Sequence, residues 1–180
     1  MNADNVSVVF AFINQKENAM PLIQSIEVYV VVNGSSTTTA DPVYIGVVTK
    51  HYGGREFPLR YQKTSMSFVG GQTYKFGFST VGGTYLPAWD SPGNGSNSLS
   101  AYPLEVSDGA QFDQRVYLRK EPVRADGQAD SALFLDDVSV TLRLDSGEAF
   151  FYRTRYSTNE DPSLVRLANE NGQIVYLYPV

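Results

Sequence analysis

The sequence predicts an all-β fold: an antiparallel β-sandwich, jelly-roll-like, of about ten strands with at most a short helical turn, in a single domain over residues 1–180. Three observations support it. Apolar residues alternate with polar ones along most of the chain. The alternating runs recur about every 8–12 residues. Between them lie clusters of Gly, Pro, Asn and Ser, the residues that make turns.

Composition sets the outer bounds. With 42% hydrophobic residues in a 180-residue chain, there is enough apolar surface for an ordinary core. The chain has no cysteine, which removes disulfides, thiolate metal sites and cysteine nucleophiles together. A net charge of −5 and a pI near 4.8 argue against nucleic acid or an anionic membrane as partner, because both need clustered Lys and Arg. The first residues, Met1-Asn2-Ala3-Asp4-Asn5, are acidic where a signal peptide is basic, and the apolar stretch that follows is too short to cross a bilayer. No signal peptide or transmembrane segment is expected. The compartment stays open between cytoplasm and export by a leaderless or processed route.

In order along the chain, residues 6–13 carry apolar side chains on both faces of an extended strand and are expected in the centre of a sheet. Residues 25–32 alternate more strictly, with Ile26, Val28, Val30 and Val32 on one face and Glu27, Tyr29 and Val31 on the other. Residues 33–42 are small and polar. A connection of this length either crosses between sheets or projects as a mobile finger. Strands are expected at residues 43–49 and 57–61, separated by His51-Tyr52-Gly53-Gly54-Arg55. The Gly-Gly pairs at 70–71 and 82–83 bracket a strand in which Tyr74, Phe76 and Phe78 alternate. Residues 89–98 form a loop; residues 99–106, containing Pro103, resemble an edge strand.

Residues 111–120 read as a strand and residues 121–131 as a connector. The clearest hairpin follows: Val138, Val140, Leu142 and Leu144 share a face, Asp145-Ser146-Gly147 turn, and Phe150 and Tyr152 return. A three-residue loop with left-handed Gly147 pairs Leu144 with Glu148, Leu142 with Phe150 and Val140 with Tyr152. On the outer face, Ser139 then opposes Arg153, and Asp137 opposes Arg155 as an ion pair. Residues 164–169 suggest a helical turn, capped by Asp161 with Pro162 in first position. Residues 173–178 form a last strand.

Few residues suggest chemistry. His51 is the one histidine; a general base needs an orienting carboxylate, and none is near in sequence, so a turn role is the simpler reading. Asp136 and Asp137 are neighbours that a regular strand points to opposite faces, whereas glycoside hydrolysis needs two carboxylates facing each other across about 5–10 Å. A distant second carboxylate such as Glu148 or Glu105 leaves hydrolase a minor reading. Asp126, Asp130 and Asp136 offer oxygen ligands, as do Asp90, Asn94 and Asn97, but neither set has calcium-loop spacing. No metal, cofactor or catalytic residue is assigned, and the chain is expected not to be an enzyme. The matches to the glycosylation pattern at Asn5, Asn33 and Asn94 carry little weight in a chain so rich in Asn and Ser.

The sharper expectation is recognition. Trp89, the one tryptophan, stands with Tyr85 and Tyr102 around a loop containing Asp90, Asn94 and Asn97. Aromatic faces beside amide and carboxylate groups suit sugars, although a lone Trp in a sandwich is more often a core or rim residue. Arg143, Phe151, Arg153 and Arg155 form a second candidate, an interface stripe on the outer face of the hairpin that Asp137 partly neutralises. The expected function is therefore a non-catalytic, carbohydrate-binding or protein-binding module acting through long loops. The alternative is a structural or assembly subunit of a virion, injection device or surface layer. It would form a homo-oligomer through strand edges or sheet faces, with residues 150–156 and 174–178 as contacts. A secreted toxin or pore-forming β-protein is a third reading.

Overall fold

Period-two alternation organises the described part of the molecule throughout. The computed structural model describes residues 20–36, 39, 41–49, 53–59, 67–79, 99, 104–106, 114–121, 132–154, 165–168 and 174–180. Among these are nine strands and no helix: β1 (Ile23–Val32), β2 (Val43–Thr49), β3 (Gly53–Pro58), β4 (Thr73–Ser79), β5 (Arg115–Lys120), β6 (Leu133–Leu144), β7 (Ala149–Arg153), β8 (Val165–Leu167) and β9 (Ile174–Pro179). Every pairing is antiparallel. The strand order is β3-β2-β5-β9-β7-β6-β1-β4, with β8 added on β6.

Strand β9 joins the two halves. Ile174 to Leu177 pair with β5, while Tyr178 and Pro179 pair with β7. The two ends of the strand order then meet across the interior, where the rings of Phe57 on β3 and Phe78 on β4 lie 5.0 Å apart. The sheet is therefore curled into a half-barrel around one apolar cluster. The all-β antiparallel prediction holds. The enclosing layers belong to one continuous curled sheet, and a jelly-roll topology remains an expectation of the sequence.

The inward set is the one alternation selects. Ile26, Val28, Val30 and Val32 of β1, Val138, Val140, Leu142 and Leu144 of β6, and Tyr74, Phe76 and Phe78 of β4 are all buried. Each such aliphatic or phenyl group stabilises the fold by about 1.5–3 kcal/mol on burial. Two irregularities keep the phase. Ile23 and Ile26 are three residues apart yet both buried, and the β1–β6 register shifts between Ile23 and Ser25. A second shift leaves Val32 opposite Leu135 and Val31 opposite Asp137, with Asp136 as the extra residue of a bulge. Leu133, Leu135 and Val138 thereby all stay in the core.

The β6–β7 hairpin forms in the expected register: Leu142 opposes Phe150, Val140 opposes Tyr152 and Ser139 opposes Arg153. Gly147 has a φ of 91°, the left-handed turn geometry that glycine tolerates. The outer ion pair differs. Asp137 binds Arg153, accepting from Nε at 2.9 Å and from a terminal nitrogen at 3.0 Å, because an arginine is long enough to reach its diagonal neighbour. Arg155 lies outside the described residues.

Two other expectations are corrected, and one left open is resolved. Strand β3 starts at Gly53 and includes Gly54 and Arg55, which the sequence suggested were turn residues; Gly54 lies so close to Val48 that a Cβ there would be 2.7 Å from its Cγ2. Residues 165–167 are strand β8, not a helical turn. Val165 and Leu167 pair with Leu135 and Leu133 of β6, and burial of Leu167 overrides local helix preference. The connection at 33–42 is the crossing kind: it leads from β1 to β2, in opposite halves of the sheet order. Its start is anchored, since Asn33 donates from Nδ2 to Asp136 at 2.6 Å and Phe134 N donates to Ser36 Oγ at 3.2 Å. Thr39, fully buried, forms a bridge with Phe68. The expected strand at 6–13 and the second Gly-Gly copy at 82–83 lie outside the described residues.

Candidate functional site

The face turned away from the core is ordered by the same pairings. Residues directly opposite one another share a face, so one row runs Glu56, Gly46, Tyr117 and Tyr176 across β3, β2, β5 and β9. Another runs Tyr178, Arg153, Ser139, Tyr29 and Lys75 across β9, β7, β6, β1 and β4. Lys75 Nζ sits 5.1 Å from the centre of the Tyr29 ring, a cation–π contact.

Gly46 determines what the first row can do. A Cβ there would be 2.0 Å from Tyr117 Cζ, so the ring lies over the bare backbone. From that position Tyr117 donates its hydroxyl to Glu56 at 3.0 Å, and Arg119 donates to both Glu56 oxygens at 2.7 and 2.6 Å. The Arg119 guanidinium also lies 4.6 Å from the Tyr44 ring centre and 3.5 Å from Glu121. The Arg119 hydrogen bonds hold the Glu56 carboxyl below the usual glutamate range. Burial pushes the Tyr44 and Tyr117 phenols up, and neighbouring carboxylates add to the effect. Both phenols stay protonated near neutral pH, and Tyr117 remains a hydrogen-bond donor.

Beside this polar cluster lies an apolar band. Phe151 is 50% exposed, Ile174 47%, Tyr176 51%, Tyr178 48% and Val180 81%. These are five of the seven large hydrophobic side chains exposed among the described residues, and all five lie on β7, on β9 or at the terminal residue after it. Tyr117 and Tyr176 meet edge to face at 5.9 Å. Val180 N donates to Phe151 O at 3.0 Å, tying the terminus along β7. The backing is rigid, because Val116, Leu118, Phe150, Tyr152 and Leu177 on the other side of the same strands are buried.

Around the band the charges are paired. Arg143 donates from Nε to Glu27 at 2.9 Å, and this bond holds the Arg143 guanidinium above its ordinary value. Arg153 is held by Asp137. Of the predicted stripe of Arg143, Phe151, Arg153 and Arg155, the first three share the outer face and Arg155 lies outside the described residues; Arg143 and Arg153 each meet a carboxylate, so this part of the stripe alternates in charge instead of being basic.

Other sequence candidates fall elsewhere. Tyr85, Trp89, Asp90, Asn94, Asn97 and Tyr102, proposed to bind sugar, lie outside the described residues, as do His51, Asp126 and Asp130. Asp136 and Asp137 answer to separate partners, Asn33 and Arg153. No group of three or more His, Cys, Asp or Glu suited to a metal ion occurs among the described residues, and no helix there is long and apolar enough to cross a membrane. The cluster of Tyr44, Glu56, Tyr117 and Arg119 was not foreseen. Its signal is the alternation of Arg115, Tyr117 and Arg119 with Val116, Leu118 and Lys120, which marks two-faced use of β5.

No family model matches the chain, and no curated protein matches it. Solved structures similar to it include crystal structures of Delta413-417:GS LOX, one of them anaerobic and in complex with arachidonate. For each, the TM-score is 0.48 and the identity 11%, with 87% of this chain covered. The match spans 16% of the LOX chain. Likeness of that degree assigns no activity.

Proposed function

We propose that the chain is a non-catalytic binding module that docks a protein partner on the outer face of β5, β9 and β7. The observation that carries this reading is the band of Phe151, Ile174, Tyr176 and Tyr178, each about half exposed on a rigid sheet. Aromatic side chains with arginines at the rim are the residue types concentrated at protein interfaces. Phe151 and Ile174 lack the polar groups that orient a sugar, which favours a polypeptide over a glycan here. The partner that fits offers apolar anchors encircled by charges of both signs, to match Arg119–Glu56, Arg143–Glu27 and Arg153–Asp137.

The test is selection from a random peptide display library, with counter-selection on the folded Phe151→Ser/Tyr178→Ser variant. The expected result is enrichment of peptides with aromatic or aliphatic anchors that bind the parent and not the variant. A library yielding no variant-sensitive peptide would overturn the reading. If a glycan panel meanwhile quenches Trp89 fluorescence, recognition moves to the loop site of Tyr85, Trp89, Asp90, Asn94, Asn97 and Tyr102.

A further inference from the structure

We infer that the partner seated on this face is a second copy of the same chain, giving a dimer in which the β9–β7 bands of two copies pack on each other. The inference rests on the docking role proposed above and names its occupant. Three features of the face support it.

The first is area. A half-exposed Phe or Tyr offers on the order of 100 Å², so Phe151, Tyr176 and Tyr178 with Ile174 and Val180 present on the order of 500 Å² of mostly apolar surface. That is at the upper end for a monomer's largest patch, about 300–600 Å². A stable complex needs about 800 Å² from each partner, and the flanking ion pairs supply the polar rim that makes up the difference.

The second is charge. The chain carries −5, so two copies repel through most approaches. On this face, however, arginines and carboxylates alternate instead of forming a block of one sign. Ion pairs join Arg119 to Glu56 and Glu121, Arg143 to Glu27 and Arg153 to Asp137. Two copies meeting here bring paired charges together instead of a patch of one sign.

The third is self-complementarity. A twofold interface uses the same patch on both partners, so each patch must present what its own image accepts. An apolar centre meets an apolar centre, and a rim carrying both signs lets an arginine of one copy face a carboxylate of the other.

Sedimentation velocity over roughly 1 μM to 1 mM tests the inference on the full chain. The expected result is a concentration-dependent dimer, weakened about tenfold or more by Phe151→Ser/Tyr178→Ser, with an unchanged circular dichroism spectrum. A parent that stays monomeric throughout, or a dimer indifferent to the double substitution, would overturn the inference. A monomeric parent that still yields variant-sensitive peptides would sink the self-association and leave the docking role standing. Should the double variant not fold, the absence of native cysteine permits a second readout that keeps every aromatic. Thr141→Cys, opposite Phe151 on the outer face, is expected to crosslink to its own copy with a short bismaleimide, while Ser146→Cys at the exposed hairpin turn is not. Equal crosslinking at both positions, or none at Thr141, would count against the dimer.

Discussion

Gly46 is the residue on which the polar end of the outer face depends. Any side chain there meets the Tyr117 ring, and moving the ring removes the hydroxyl that donates to Glu56. Gly46→Ala is expected to cost about 1–3 kcal/mol, the range for forcing atoms into filled space, read as a lowered denaturation midpoint. Glu56 supplies a pH test with a definite sign. Its carboxyl is held below the ordinary glutamate value of about 4.3 chiefly by the Arg119 hydrogen bonds. The unfolded chain therefore binds the proton more readily, and the stabilisation is present above about pH 4.3 and is lost as pH falls through the lower folded value. The stability advantage of the parent over Glu56→Gln, measured by thermal melts, is expected to shrink on acidification through that window. An advantage that grows as pH falls would contradict the assignment.

At the scale of elements, the crossing from β1 to β2 is held by a buried ion pair. Lys120, fully buried at the end of β5, lies 2.7 Å from Asp41 just before β2. Removing one member takes from the other its close ion-pair partner, so Lys120→Met is expected to destabilise the fold by about 3–5 kcal/mol, whereas Lys120→Met with Asp41→Leu recovers most of that loss. Chemical denaturation of both variants checks the pair. This contact was not legible in the sequence, because Lys120 continued an apparently ordinary two-faced strand. The β6–β7 hairpin was legible down to its register, since a three-residue turn leaves one pairing that keeps Leu142 and Phe150 on the same face. Strand β8 was misread for the opposite reason. Three residues carry too short an alternation to declare themselves, and the β6 edge that recruits them lies about thirty residues earlier.

Among the described residues, one curled sheet puts its faces to two uses: aliphatic and aromatic side chains inside, aromatic rings among paired charges outside. Antiparallel β architecture follows from alternation alone, which is why it could be read without a structure. The curl could not, because it depends on β9 pairing with β5 through one part of its length and with β7 through the rest. The candidate face divides the same way. Arg143, Phe151 and Arg153 were placed together because one hairpin carries them, while Tyr117 and Glu56 are 61 residues apart in the chain and meet only through the intervening strand β2.

The central claim, that the rings of β9 face outward and are covered on association, is tested most directly by tyrosine nitration with mass-spectrometric mapping. In dilute protein, Tyr176 and Tyr178 are expected to react readily. Tyr152, 1% exposed and with burial raising its phenol pKa, is expected to be spared, and concentrating the protein is expected to protect the two β9 rings. Reaction at Tyr152 as fast as at Tyr178, or β9 rings inert even in dilute solution, would contradict the account.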